Sequence, residues 1–560
     1  MRVNPLHLGN LRGDLFGGVT AAVVALPLAL AFGVSSGAGA ITGLYGAVFV
    51  GLFAALFGGT PAQISGPTGP MTVVMTTVFT ALLAKHPDTG LNMAFTVVML
   101  GGIFQILFGV LRLGKYITMI PYTVISGFMS GIGAIIVLLQ IGPLLGHQAS
   151  GNVLDSLGSL PDFLSNLNPT ATGLGLLTLA IVFLWPPKLT RVVPSPLLAL
   201  IVCTLIAVVL LPDRDLRLIG EIPTGLPTLR LPLISPGELK DMIGYGLMLA
   251  TLGSIDSLLT SLVADNITRT NHDSDRELIG QGLGNLIAGF LGGLPGAGAT
   301  MRTVINVQAG GKTPLSGIIH ALVLMAIVFG AGSLTANIPH AVLAGILIKV
   351  GIDIIDWGFL KRAHRISLKA AAIMYGVMFL TVFVDLIAAV AVGVFVANIL
   401  TITTLSDIQA DKVKAIDTPT DEMSLNYEEK EILKLAGGRI LLLRLGGPMS
   451  FGAAKSISKR MAIVENYEVL ILDLSEVPWL GVTASLAIET MVKEASERRR
   501  EVFIVGATGK VKARLQRLEV MDMLPLRNRL NHRLEALRQA IILLDGHLIK
   551  AASSSTAGKE

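Results

Sequence analysis

The chain of 560 residues has one cysteine, three tryptophans and only 14% charged residues. Cys203, inside the apolar run LLALIVCTLIAVVLL, has no partner for an internal disulfide and reads as a small buried apolar residue. The sequence offers no phosphate-cradling glycine loop, no nucleophile constellation and no metal spacing such as HxxxH or CxxC, which argues against an enzyme. A net charge of +5 gives no reason to expect a nucleic-acid partner. What remains is 52% apolar residues, too many and in runs too long for an ordinary soluble domain. The chain therefore reads as a polytopic protein with lipid around it. No cleavable signal sequence is expected, because the first apolar run, Leu15 to Val34, is about span length and more spans follow.

The scarce charge is unevenly placed. Residues 1–405 carry about 37 of the 81 Asp, Glu, Lys and Arg, and 406–560 carry the rest. We therefore expect a transmembrane transport domain over 1–405, a linker over 406–435, a small α/β domain over 436–545 and a disordered tail over 546–560. Fourteen apolar runs can be read between residues 14 and 404, those at 68–84 and 298–309 being short. With a cytoplasmic N-terminus, Arg112, Lys115, Lys188, Arg191, Arg269, Arg276, Lys312 and the cluster Lys361, Arg362, Arg365, Lys369 all fall inside. Loop 146–170, without Lys or Arg, falls outside. Loop 212–240 disagrees, since it should be external yet carries Arg214, Arg217, Arg230 and Lys240. Its acidic and proline content suggests a folded external excursion. Both termini are then expected to be cytoplasmic.

The short spans follow two broken motifs. SGPTGPMTVV starts at Ser65, and the stretch GGLPGAGATMRTVIN runs from Gly292 to Asn306. Each lies some 55 residues after the start of its half of the chain, roughly matching positions that mark inverted repeats in a transporter, with the substrate where the two breaks meet. Two half-helices starting near the midplane turn free N–H groups and positive dipole ends toward each other, an arrangement that attracts an anion. Thr68 and Thr300 stand at those starts, as anion contacts, N-caps or both.

Within ATLGSIDSLLTSLVAD, Asp256 falls near mid-span and Thr260 one turn later on the same face. A carboxylate at that depth is costly, so it is a candidate cation ligand or proton carrier. With Thr260 and the carbonyls of an unwound Gly298–Thr300 it makes an all-oxygen cage suited to Na⁺. Arg302 has three open readings: it faces the anion, it pairs with Asp256, or it snorkels and packs on a neighbouring span. His320, Lys349 and Asp385 receive structural readings, and ELIGQGLGN (277–285) is expected to cap and pack the ninth span.

At these residues the chain resembles the sulfate permease (SulP) family of anion transporters, and within it the cyanobacterial sodium-dependent bicarbonate transporters. ISGPTGPMTVVM, LGKYITMIPYTVISGFMSGIG, SIDSLLTSLVAD, ELIGQGLGN, GAGATM and VGIDIIDWGFLKRAH carry the resemblance over almost the whole length. It implies an α-helical fold of fourteen spans as two inverted seven-span repeats, divided into a core with the site and a gate that anchors a homodimer. It further implies sodium at Asp256, Thr260, Gly298 and Thr300, and bicarbonate at Thr68, Ala299 and Thr300, with Arg302 a further candidate. Two positions depart from the bicarbonate pattern, Gly66 where Glu can stand and Arg302 where Gly can stand. The arginine is more like sulfate, dicarboxylate and chloride carriers.

RILLLRL, EVLILDL and EVFIVGA read as strands and LGVTASLAIETMVKEASERR and KARLQRLEV as amphipathic helices. This part resembles the STAS domain that ends such transporters and could bind a regulatory partner. Gly481-Val482 replaces the Asp-Ser of phospho-regulated domains, leaving Thr483 and Ser485 as candidates. The function these readings support is sodium-coupled bicarbonate uptake, a symport by alternating access that needs no organic cofactor. Two alternatives stay open: proton-coupled or exchange transport of sulfate or a dicarboxylate, and an anion channel.

Overall fold

The computed structural model describes residues 3–5, 8–117, 120–186, 189, 193–211, 215–220, 227–330, 335–418, 425–463 and 466–556. Lys188, Arg191 and Arg214 lie outside them. The chain divides into two units, 1–397 and 398–560, each taken by itself.

In the first unit, glycine, proline and loss of apolar periodicity end the helices close to where the hydropathy runs stop. The long helices are α1 (Leu11–Ser35), α2 (Ala40–Phe57), α3 (Gly69–Lys85), α4 (Gly90–Val110), α5 (Tyr122–Leu139), α6 (Pro169–Leu184) and α7 (Ser195–Leu210). They are followed by α8 (Leu239–Thr268), α9 (Ser274–Phe290), α10 (Thr300–Gln308), α11 (Pro314–Gly330), α12 (His340–Ile354), α13 (Leu368–Phe383) and α14 (Leu386–Asp411). Six helices are long and apolar enough to cross a membrane by themselves, and α3, α6, α7, α11 and α13 are shorter apolar helices. Two-residue strands, β1 (Ser65–Gly66) and β2 (Ala297–Gly298), precede α3 and α10. The order helix, helix, strand, helix thus occurs once in each half.

The helices pack as two bundles. One joins α1, α2 and α4 to α8, α9 and α11; the other joins α5, α6 and α7 to α12 and α13. Small residues set the spacing in the first. A Cβ on Gly43 would lie 1.9 Å from the Ala29 carbonyl oxygen, so α1 and α2 touch through backbone. The loop with the discordant arginines is tied down at both of its described ends. Ile219 N–H donates to the Ile338 carbonyl (3.0 Å), and Arg230 N–H donates to the Phe290 carbonyl (2.7 Å) with its guanidinium on Asn92 Oδ1 (3.2 Å). Loop 146–170 contains two short helical turns, Val153–Gly158 and Leu160–Ser165.

The second unit is a five-stranded sheet, β3 (Val413–Ile416), β4 (Ile440–Gly446), β5 (Val469–Glu476), β6 (Glu501–Val505) and β7 (Arg529–Leu530), in that spatial order. β3 runs antiparallel to β4 and the others are parallel. β4, β5 and β6 are largely buried on both faces, which is why they read as continuous apolar runs. Leu441, Leu443, Leu470 and Leu472 face α17 (Val482–Glu497) and α18 (Gly509–Arg517). Leu442, Ile440, Val469 and Ile471 face α15 (Tyr427–Ala436) and α19 (Arg533–Thr556); α16 (Phe451–Ile463) joins the first layer. The segment expected as linker thus carries β3 and α15, which were missed because an edge strand of four half-exposed residues leaves little pattern. The last helix extends to Thr556, into the segment expected to be disordered. Ser485 is buried and donates to the Gly481 carbonyl (2.7 Å), whereas Thr483 is exposed.

Arg533 locks this unit. Its guanidinium donates to both Glu429 oxygens (2.8 and 2.9 Å) and to Asp473 Oδ2 (3.1 Å), both acids being almost fully buried. Arg533→Met leaves two buried carboxylates unpaired and is expected to destabilise the unit by about 3 kcal/mol. Hydrogen exchange of β5 in the full-length protein reads the change as faster exchange.

Candidate functional site

Backbone that leaves helical geometry inside an apolar unit must find hydrogen-bond partners in the protein. β1 and β2 solve part of this by pairing antiparallel, Ser65 opposite Gly298 and Gly66 opposite Ala297. Ala299 N–H donates to the Ile64 carbonyl (2.8 Å), and Ile64 N–H donates to Thr303 Oγ1 (3.0 Å). The rest comes from polar side chains on the neighbouring helices. Gly298 N–H donates to Ser257 Oγ of α8 (3.0 Å). Asn285 of α9 accepts from Gly296 N–H (2.7 Å) and returns its amide to the Gly296 carbonyl (3.0 Å).

Glu277, Gln281 and Asn285 recur every fourth residue, so one face of α9 serves both breaks. Glu277, fully buried, accepts from Gly59 N–H (2.8 Å), Thr60 N–H (2.9 Å), Gln63 Nε2 (2.8 Å) and Gln281 Nε2 (2.8 Å). Gln281 Nε2 also donates to Ser65 Oγ (2.6 Å). The sequence reading assigned 277–285 to capping and packing, whereas these residues hold the crossing together. Their four-residue spacing was the available signal. The crossing also explains the small residues of GGLPGAGATMRTVIN. A Cβ on Gly296 would lie 2.4 Å from the Gly66 carbonyl carbon, and one on Gly298 would lie 2.2 Å from Gln63 Nε2.

Beyond the strands, α3 begins at Gly69 after Thr68 and α10 begins at Thr300 after Ala299. Both starts line one cavity of about 1150 Å³ between the two bundles. Its wall includes Thr20 and Val24 of α1, Asp256 of α8, and Phe183, Ile346, Lys349 and Asp353 of the other bundle. Thr68, Asp256, Gly298, Ala299, Thr300 and Arg302 all line it. Thr260 stands just behind the wall: its hydroxyl donates to the Gly298 carbonyl (3.0 Å) and lies 2.7 Å from Thr300 Oγ1.

Two polar groups here take no part in the crossing's hydrogen bonds. The Thr68 hydroxyl is buried, bonds nothing in the crossing and does not cap α3. Asp256 stands beside it, with the Thr68 hydroxyl as its hydrogen-bonding neighbour and the Arg302 guanidinium as its nearest charge, and forms no ion pair among the described residues. Arg302, 3% exposed, donates through Nη2 to the Pro67 carbonyl (2.5 Å), so it bridges the start of α10 to the end of the other break. Of its three readings, snorkelling and a direct pair with Asp256 are both absent from this conformation. Gly66 belongs to the same arrangement, since a Cβ there would lie 2.9 Å from Arg302 Nη1. His320 is buried beside Gly51 with both ring nitrogens unpartnered, and Asp385 Oδ1 accepts from Ala388 N–H (2.8 Å) at the turn before α14.

Paired half-helix starts beside one cavity in a repeated helical unit define the class, a membrane transporter. The sequence places it further: residues 11–377 match the Sulfate permease family and 433–532 match the STAS domain, so the chain belongs to the sulfate permease family. It is similar to the bicarbonate transporter BicA of Synechocystis sp., 55% identical over 99% of both chains. Among solved structures it resembles the transmembrane domain of a cyanobacterium bicarbonate transporter BicA, with a TM-score of 0.67, 59% identity and coverage of 70% of this chain and all of that one. The structure of SLC26A9, at 19% identity, shares the fold with a TM-score of 0.80 over 97% of this chain and 92% of that one. Its named relatives are transporters, and the chain is a transporter and not an enzyme.

Glu277→Gln removes the charge that four donors share. The change is expected to cost about 3 kcal/mol, with faster hydrogen exchange at 59–66 and 296–298 and lost transport. Unchanged exchange in both segments would show that the crossing does not depend on Glu277.

Proposed function

We propose that the protein carries bicarbonate into the cell together with sodium, by alternating exposure of the cavity between the two bundles. The observation that carries this reading is the Thr68 hydroxyl, which bonds nothing in the crossing, with the Asp256 carboxylate next to it on the cavity wall, both beside two half-helix starts. The helix starts supply positive potential without a mobile cation, and the Thr68 hydroxyl and the first N–H groups of α3 and α10 supply donors for the anion. Bicarbonate, flat and singly charged, needs few such donors. Sodium prefers an all-oxygen shell, which Asp256, the Thr260 and Thr300 hydroxyls and the Gly298 carbonyl would provide once Thr260 turns its lone pairs toward the ion. Each ion then lowers the electrostatic cost of the other, because Ala299 and Thr300 border both. The names of the close relatives support bicarbonate as cargo.

Arg302 favours a second reading. A full charge on the cavity wall suits a dianion, so sulfate or a dicarboxylate with a proton on Asp256 is the alternative. We place the protein in the bacterial inner membrane as a homodimer with cytoplasmic termini, the STAS domain serving a regulatory partner.

Uptake by proteoliposomes separates these readings when bicarbonate, sulfate and a dicarboxylate are each offered under sodium or proton gradients. Bicarbonate uptake that requires sodium is the expected result, and sulfate uptake driven by protons alone would replace it with the alternative. Asp256→Asn and Thr260→Ala are expected to raise the sodium concentration for half-activation at least about tenfold and threefold, some 1.4 and 0.7 kcal/mol of lost ligation. Normal uptake with unchanged sodium dependence in Asp256→Asn would make that carboxylate structural. Arg302→Gly is expected to weaken the anion about fivefold while sodium activation stays within twofold, and Arg302→Lys to fall between. A new sodium requirement in the glycine variant, with anion affinity unchanged, would instead mean that the arginine substitutes for the cation.

A further inference from the structure

Among the described residues four charged side chains line the cavity: Asp256 and Arg302 at the crossing, and Lys349 and Asp353 on α12. The second pair lies toward the mouth, near the end of α12 that leads into Lys361, Arg362 and Arg365. Lys349 Nζ donates to both Asp353 oxygens at 2.5 Å, and it sits 5.4 Å from the centroid of Phe183, another wall residue. Both side chains keep contact with solvent, at 26% and 39% exposure.

Helix stability does not account for this pair. α12 ends at Ile354, so Asp353 lies in its last turn, where the helix dipole disfavours a carboxylate. A lysine four residues before an acid is also the weaker order for a helical pair. Lys349 alone would suit that helix end better than the pair does. Asp353 thus acts against its own helix, and its gain is the cancellation of the lysine's charge on the cavity wall.

We propose that Asp353 screens Lys349 so that the mouth of the cavity does not hold anions. The inference rests on anion transport through this cavity. A bare lysine at the mouth would concentrate anions there and prolong their stay, whereas a carrier that delivers an anion through this mouth needs a wall that releases it. With the pair intact the four described wall charges sum to zero; loss of Asp353 makes that sum positive, and loss of Lys349 makes it negative. Lys349 and Asp353 are positioning residues for release and do not belong to the binding crossing.

Trp185 lines the same cavity and reports its potential directly. In full-length protein carrying Trp357→Phe and Trp479→Phe, the quenching of Trp185 by iodide is measured relative to the neutral quencher acrylamide. Asp353→Asn should raise the iodide-to-acrylamide ratio about twofold, Lys349→Gln should lower it about twofold, and the double variant should return to the parent value. High salt should flatten all three differences. In proteoliposomes Asp353→Asn should also strengthen the apparent affinity for labelled bicarbonate, or for sulfate if that is the anion moved, from the mouth side about twofold. A wild type that moves neither anion would refute the transport reading while the quenching still decides the screening. Ratios equal to the parent in both single variants would overturn the proposal.

Discussion

Non-helical backbone at the centre of a membrane unit has to be satisfied by protein, and in this chain that constraint organises everything around it. Four strand residues pair with each other, Ala299 N–H bonds the Ile64 carbonyl, and polar side chains from α8, α9 and α10 meet further demands. Glu277 is the anchor because a carboxylate accepts several bonds at once, and four donors converge on it, three from the first break and one from its own helix. The close passage of the two breaks in turn excludes side chains at Gly296 and Gly298. The glycine-rich composition follows from that crossing.

The same geometry creates the chemistry. Ending two segments as strands forces two helices to start beside a cavity, and a helix start carries positive potential and free donors. The crossing uses up the groups on its far side, leaving the Thr68 hydroxyl and the neighbouring Asp256 carboxylate out of it, on the cavity side. Arg302 and Gly66 form one unit in this arrangement. The guanidinium occupies the space that a side chain at 66 would fill, and its bond to the Pro67 carbonyl ties the second half-helix to the first break. The two positions that the resemblance marks as departures, Gly66 and Arg302, are therefore packed against each other.

Much of the architecture was legible because hydrophobic run length and Gly/Pro punctuation report helices directly. The third and tenth runs, expected at 68–84 and 298–309, are helices at Gly69–Lys85 and Thr300–Gln308. Thr68, Asp256, Ala299, Thr300 and Arg302 could be nominated because a polar residue in an apolar run is conspicuous. What was not legible depends on contacts between distant residues. Glu277 lies at the polar end of its helix, where capping explains it equally well until Gly59, Thr60 and Gln63 are seen to meet it. The partner of Arg302 is a backbone carbonyl 235 residues away, which no side-chain pattern encodes. In the second unit β4, β5 and β6 were visible as apolar runs, while β3 and β7, short and at the sheet edges, were not.

The central claim is that the anion binds between the two half-helix starts. Replacing the lone Cys203 by serine gives a cysteine-free background in which Thr68→Cys, Thr300→Cys and, at the cavity mouth, Ser195→Cys are made one at a time. The rate of modification by an anionic thiol reagent is then measured with and without bicarbonate in the presence of sodium. The account predicts that bicarbonate slows modification at 68 and 300 and leaves the mouth position unchanged. Equal rates with and without bicarbonate at both 68 and 300, in protein that still transports it, would contradict the account.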